Sequence, residues 1–202
     1  MLNVVVLNGG RGAATVIPAL LAVQGVNLTS VVNAYDDGKS TGEIRRFFRM
    51  LGPSDIRKVQ ELMLPEGDPD HAASLHLFRY RYPDQVGRDQ ALAELRRFAQ
   101  GEVDSIVGVK FVSAKIEAAL RRFVREFLDG LAVSEKAIGD QLSLADCSIM
   151  NCLYAGAHLV FGRNFEAATR YIDRLFKLKG TVLPTSIENR TIVALRENGE
   201  ML

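Results

Sequence analysis

The residues best suited to chemistry lie in two polar loops near the N-terminus. The first, Asn8-Gly9-Gly10-Arg11-Gly12, follows the apolar run Val4-Val5-Val6-Leu7. Glycines let backbone N–H groups approach an anion closely, and the dipole of a following helix adds to the attraction. Gly9, Gly10 and Gly12, with the Arg11 cation, are therefore candidates for a phosphate or diphosphate cradle; an ordinary tight strand-to-helix turn is the alternative reading. As a dinucleotide fingerprint the loop departs from pattern, because Thr15 stands where the third Gly or Ala belongs.

The second loop reads Ala34-Tyr35-Asp36-Asp37-Gly38-Lys39-Ser40-Thr41-Gly42. Asp36 and Asp37 follow a predicted strand, at the end where open α/β sheets place their sites. Neighbouring carboxylates there hold Mg2+ or accept the proton of a substrate hydroxyl. A solvated turn with Asx caps would use the same pair. Gly38-Lys39-Ser40-Thr41 imitates the end of a P-loop, but the other required glycine falls on Asn33.

Arg45, Arg46, Arg49, Arg57 and Lys58 gather around this loop. The first three fit the solvated face of a helix, whereas Arg57 follows a Pro-Ser-Asp turn close to a helix start. Phe78-Arg79-Tyr80-Arg81-Tyr82 alternates aromatic and basic residues, a pattern that stacks bases beside phosphates or packs a helix end. Lys+Arg 25 against Asp+Glu 24 leaves a formal charge of +1, without the basic excess of a nucleic-acid binder. No nucleic-acid partner is expected.

The elements that must position these loops are legible in the periodicity. Val4–Leu7 reads as a strand buried on both faces. Residues 13–23 read as a helix with Val16, Leu20 and Val23 inward, and residues 27–33 as a second strand. Strand, glycine turn, helix, strand make a βαβ unit and point to an α/β sheet. Helices are predicted over 43–51 (Ile44, Phe47, Phe48 and Leu51 inward), 55–64, 113–131, 142–160 and 165–178, and strands over 181–184 and 191–195. The helix over 113–131 carries the stripe Ile116, Leu120, Phe123, Phe127, Leu131, and this long amphipathic helix could serve a homodimer.

No apolar run is long enough for a membrane helix, and no export leader precedes the first strand. Cys147 and Cys152, on one helix, would point about 140° apart, so no disulfide is expected between them. Such cysteine usage agrees with a reducing, cytoplasmic location. His71, His76 and His158 have no metal-ligand spacing. The chain stops soon after Asn198-Gly199, a favoured hairpin turn, which reads as a C-terminally truncated product.

Taken in order, these segments resemble the 2-phospho-L-lactate transferase family and its gluconeogenesis-factor-like branch. The family's Gly-Gly-Gly-Thr-Gly loop is similar to residues 8–12. Its Asp-Asp-Gly-Gly-Ser-Ser-Gly loop is similar to residues 36–42, followed by Arg45. Its Pro-x-Gly-Asp-Ile-Arg motif matches residues 51–57, Leu-Phe-x-Tyr-Arg-Phe matches 77–82, His-Ser-x-Gly-Asn matches 147–151 and Val-Leu-Pro-x-Thr matches 182–186. The resemblance covers residues 1–82 and 141–198.

That resemblance implies an α/β, Rossmann-like parallel sheet with flanking helices, built from residues 1–82 and 141–202, with residues 83–140 as a helical insertion. It further implies a nucleotide diphosphate or sugar nucleotide as ligand. One branch moves a phospholactyl-type group from a guanosine diphosphate carrier to a deazaflavin alcohol with Mg2+; the other binds UDP-sugars. In those terms Gly9, Gly10, Arg11 and Gly12 hold the diphosphate, and Asp36 and Asp37 face the acceptor hydroxyl and the metal. Ser40, Asp55, Arg57 and Asn151 line the nucleotide site. The chain departs from the family at Asn8 and Arg11, at Ser54, and at Cys147 and Met150, which replace His and Gly.

Overall fold

The structure, a computed structural model, describes residues 1–190 and 194–201. Among the described residues three parallel strands form one sheet in the order β1 (Leu2–Asn8), β2 (Val26–Val32), β3 (Thr181–Pro184). Val4 pairs with Leu28, and Ser30 with Val182. Between β1 and β2 lie a 3-10 turn (Arg11–Ala13) and the short helix α1 (Val16–Leu21). The chain from β2 to β3 carries α2 (Lys39–Phe48), α3 (Ser54–Leu62), α4 (His71–Arg79), α5 (Arg88–Gln100), α6 (Ala114–Ile138), α7 (Ile149–Val160) and α8 (Phe165–Leu175).

Leu28, Ser30 and Val32 of β2 and Val182 of β3 are buried against the helices. The opposite face is open among the described residues, and Val5 and Leu7 are 64% and 78% exposed. The expectation that Val4–Leu7 is buried on both faces is thus corrected: β1 is an edge strand with helices over one side only. The first helix is also shorter than its periodicity implies. Ala13 and Ile17 carry the buried face, while Val16 and Val23 are exposed. Pro18 falls in the first turn of α1, where a missing N–H costs nothing.

Residues 83–140 supply α5 and α6, and their apolar faces join one continuous core. Ile116, Leu120, Phe123, Phe127 and Leu131 are all buried within the chain, so this stripe holds α6 to its own neighbours. The α6–α7 crossing is close enough that a β-carbon on Gly156 would enter the Phe123 backbone. Phe48 of α2 stacks on Phe127 at 5.4 Å, which ties the helix beside the polar loops to α6.

Several boundaries differ from the periodicity, among them the end of α6, which runs on to Ile138. The first turn of α2 takes in Lys39, Ser40, Thr41 and Gly42, which read as loop. Helix α7 starts at Ile149, because residues 142–148 are irregular apart from an antiparallel bridge between Arg81 and Ser148. Of the strand predicted over 191–195, Thr191, Ile192 and Val193 lie outside the described residues. Leu195 bridges to Met201 around Asn198-Gly199, with Gly199 at φ +84°.

Candidate functional site

Strand β2 delivers the chain to Asp36 and Asp37, and the two carboxylates then part. Asp36 Oδ1 accepts from Gly38 N–H at 3.2 Å, an Asx turn into α2. Asp37 Oδ1 lies 3.1 Å from Arg45 Nη1. Arg45, predicted on a solvated face, is only 5% exposed. Its guanidinium also donates to Tyr35 O at 3.1 Å and to Arg190 O at 2.6 Å. Asp37 and Arg45 line one cavity, with Arg46, Arg49 and Asn189; Asp36 lines another.

The cavity at Asp36 has a volume of about 410 Å³ and gathers much of what the sequence singles out. Arg11, Asp36, Ser40 and Arg57 line it, together with Gly38, Lys39, Thr41, Ser54, Lys58, Arg81 and Asp146. Ser40 sits in the first turn of α2, and Asn151 of α7 donates to its Oγ from Nδ2 at 3.4 Å. Asn151 is fully buried and its Oδ1 has no hydrogen-bond partner among the described residues.

The glycine loop does something different from cradling phosphate with its glycines alone. A β-carbon on Gly10 would collide with the Asp55 carboxylate and the Lys58 stem, and one on Gly9 would touch Asp55. Asp55, in the first turn of α3, is paired with Lys58 at 2.9 Å. The loop is therefore glycine-rich so that Asp55 can lie against it. Gly12 meets nothing. Arg11 brings the loop's charge to the cavity.

Cationic side chains dominate the wall. Asp146 binds Arg81 Nε at 2.6 Å and Lys39 Nζ at 3.2 Å. Hydrogen bonds from Arg81 and Lys39 hold its carboxyl down at about 2. Burial, and then the nearby Arg81 charge, lower the pKa of Arg57. Arg57 Nη1 donates to Phe78 O at 2.9 Å, while its Nε has no hydrogen-bond partner among the described residues. Lys39 and Asp146 both adopt left-handed backbone, at φ +46° and +48°. For side chains other than glycine this costs energy, and such strain gathers at functional sites.

No group of three or more His, Cys, Asp or Glu that could hold a metal occurs among the described residues. Asp36 and Asp37 line different cavities. Mg2+ characteristically uses one or two carboxylates with substrate phosphates and water, and Asp36 alone meets that reduced requirement.

Cys147 and Cys152 bring their sulfurs to 3.9 Å, both buried as free thiols. The expected 140° separation fails because Cys147 precedes α7, so helical spacing does not apply to the pair. Sequence reasoning did not select Lys39, Lys58, Arg81 or Asp146 as site residues. Two sequence signals bear on Arg81, the Phe-Arg-Tyr-Arg-Tyr alternation and its place in the Leu-Phe-x-Tyr-Arg-Phe match. Tyr82 turns into the core and Tyr80 packs edge-on against it at 5.4 Å, leaving Arg81 to point at the cavity.

Comparison with known proteins places the chain in context. The profile of the family described as 2-phospho-L-lactate transferase CofD matches residues 4–202. A gluconeogenesis factor of Listeria innocua is 40% identical over 80 residues, 40% of this chain and 23% of that protein. A putative gluconeogenesis factor of Thermotoga maritima is 23% identical over 98% of this chain and 44% of its own length. A crystal structure of a Bacillus halodurans protein of the upf0052 family superposes with a TM-score of 0.61 at 21% identity, covering 100% of this chain and 45% of that one. The chain thus spans less than half the length of these relatives. With the ordered loops and the parallel sheet, the profile match establishes that the chain belongs to the 2-phospho-L-lactate transferase CofD family.

Proposed function

We propose that the cavity beside Asp36 binds the diphosphate of a nucleotide, with a sugar nucleotide as the preferred class, and that binding is its principal task. The observation that carries this is the ring of cations, Arg11, Lys39, Arg57, Lys58 and Arg81, around a 410 Å³ space. Arg81 and Arg57 present planar forks suited to phosphate oxygens, and Lys39 and Lys58 act as point charges. A diphosphate would compete with Asp146 for Arg81 and Lys39. Ser40, in the first turn of α2, lines the cavity with polar capacity to spare for a ribose or sugar hydroxyl, and the buried Asn151 lies behind it, bonded to its Oγ.

The divergence of Asp36 and Asp37 favours binding over transfer. A second reading, transfer of a phospho-acyl-type group to a hydroxyl, is supported by membership of a family named for a transferase. In that reading Asp36 faces the acceptor hydroxyl as proton acceptor, and the cations neutralise charge on the transferred group. Mg2+ held by Asp36 would add Lewis-acid polarisation of phosphate.

A thermal-shift panel of GDP, UDP and UDP-N-acetylglucosamine, each with and without Mg2+, separates the readings. A ligand at a hundred times its dissociation constant stabilises by about 2.7 kcal/mol. Stabilisation by a UDP-sugar without Mg2+ supports the binding role; a Mg2+-dependent guanosine effect supports transfer. A silent panel overturns both.

A further inference from the structure

We propose that Cys147 and Cys152 form a reversible intramolecular disulfide, with hydrogen peroxide as oxidant, at the wall of the basic cavity. The sulfurs stand 3.9 Å apart. Closing to the disulfide length of about 2 Å requires a shift of similar size, within reach of side-chain rotation and a small adjustment of the backbone. The two partners sit on different backbone. Cys152 is fixed on α7, whereas Cys147 ends the irregular segment 142–147, tied to its surroundings by Tyr82 N–H donating to its carbonyl at 2.9 Å.

The two thiols are electrostatically unlike. The hydrogen bond with Cys152, then the charge of Arg81, hydrogen bonding to Ser40 and the charge of Arg57, draw the Cys147 thiol toward its thiolate, while the same contact and burial push Cys152 the other way. Cys147 is thus the attacking sulfur and Cys152 the resolving one. Both cysteines are buried, so the oxidant must be close to water in size. Ser40 and Arg81, which line the cavity, also neighbour Cys147 and place it directly behind the wall.

The chemistry balances in two steps. The Cys147 thiolate attacks one peroxide oxygen and breaks the O–O bond, giving a sulfenic acid and hydroxide, which takes up the thiol's proton as water. The Cys152 sulfur then attacks the sulfenic sulfur; its proton leaves with the hydroxyl as a second water. The two thiols lose two electrons in all, and the peroxide gains them. Because Asp146 precedes Cys147 and Arg81 bridges to Ser148, the bond forms next to the Arg81–Asp146 ion pair in the cavity wall.

The test is peroxide treatment of the folded chain, followed by denaturation, alkylation and intact mass measurement. The expected product is a monomer lighter by two hydrogens that takes up no alkylating agent and regains both thiols with dithiothreitol. In Cys152→Ala, peroxide should leave Cys147 as a sulfenic acid trapped by dimedone. Cys147→Ser should leave Cys152 unoxidised. Full alkylation of both cysteines after peroxide, or disulfides only between chains, overturns the proposal. None of these readouts depends on nucleotide binding.

Discussion

Asp37 is held by Arg45 at 3.1 Å, and this pair turns the second of two adjacent carboxylates away from the cavity that Asp36 lines. The two partners are unequally placed, Arg45 5% and Asp37 53% exposed in their side chains. Arg45 also bonds the Tyr35 and Arg190 carbonyls, and so ties the polar loop to the segment after β3.

Replacing the two partners should therefore have unequal effects. Arg45→Met removes the donor from the Tyr35, Asp36 and Arg190 carbonyls and the Asn189 side chain and leaves them to be resolvated, a loss of about 2 kcal/mol. Asp37→Asn removes a half-exposed charge and should cost less than about 1 kcal/mol. Urea denaturation of both variants measures this; equal losses would show that the ion pair, and not the backbone contacts, carries the effect.

Lys39 gives a prediction of opposite sign. Its φ of +46° is unfavourable for a side chain with a β-carbon, and its ion pair with Asp146 is 81% exposed on the lysine side. Lys39→Gly relieves a cost of about 1 kcal/mol and gives up little from an exposed pair. The variant should be more stable in urea and weaker toward a diphosphate. Lower stability would place Lys39 among the residues that hold the fold together.

Acid sensitivity should trace to His158. Burial pushes it down to about 4, and neither ring nitrogen has a hydrogen-bond partner among the described residues. The unfolded chain therefore binds the proton that the folded chain refuses, and stability is lost as pH falls from about 6.5 to 4, by up to about 3 kcal/mol. Burial pushes Asp173 up to about 6, which acts in reverse: its contribution is present below about 4 and lost as pH rises to 6. In His158→Met the first effect goes and the second remains, so stability should fall as pH rises through this window relative to wild type. Denaturation at several pH values checks it; parallel curves for the two proteins would remove His158 from the account.

Much of this was legible in the residues. The βαβ opening, the second polar loop and the position of Asp36 followed from glycine placement and apolar runs. So did the inclusion of Arg57, because a turn before a helix directs its first side chains toward the preceding loop. What stayed hidden depended on contacts between distant segments. Arg45 has the spacing of a surface residue and is enclosed by the preceding loop and by residues 189–190, which return over it. Asp146 sits in a stretch whose composition continues α7, so its role in holding Arg81 has no local signal. The glycines of the first loop were visible, but their reason, the approach of Asp55 from α3, was not. The open sheet face was concealed because an unbroken apolar run such as Val4-Val5-Val6-Leu7 reads the same with or without a covering layer.

The central claim is that the cations around Asp36 bind a diphosphate, and calorimetric titration of UDP into wild type and Arg81→Gln tests it most directly. Losing one charge-assisted phosphate contact of about 1.5–3 kcal/mol predicts at least tenfold weaker binding in the variant, at low salt and with the fold intact. Equal affinity in the two proteins would mean that UDP binds elsewhere, and would contradict the account.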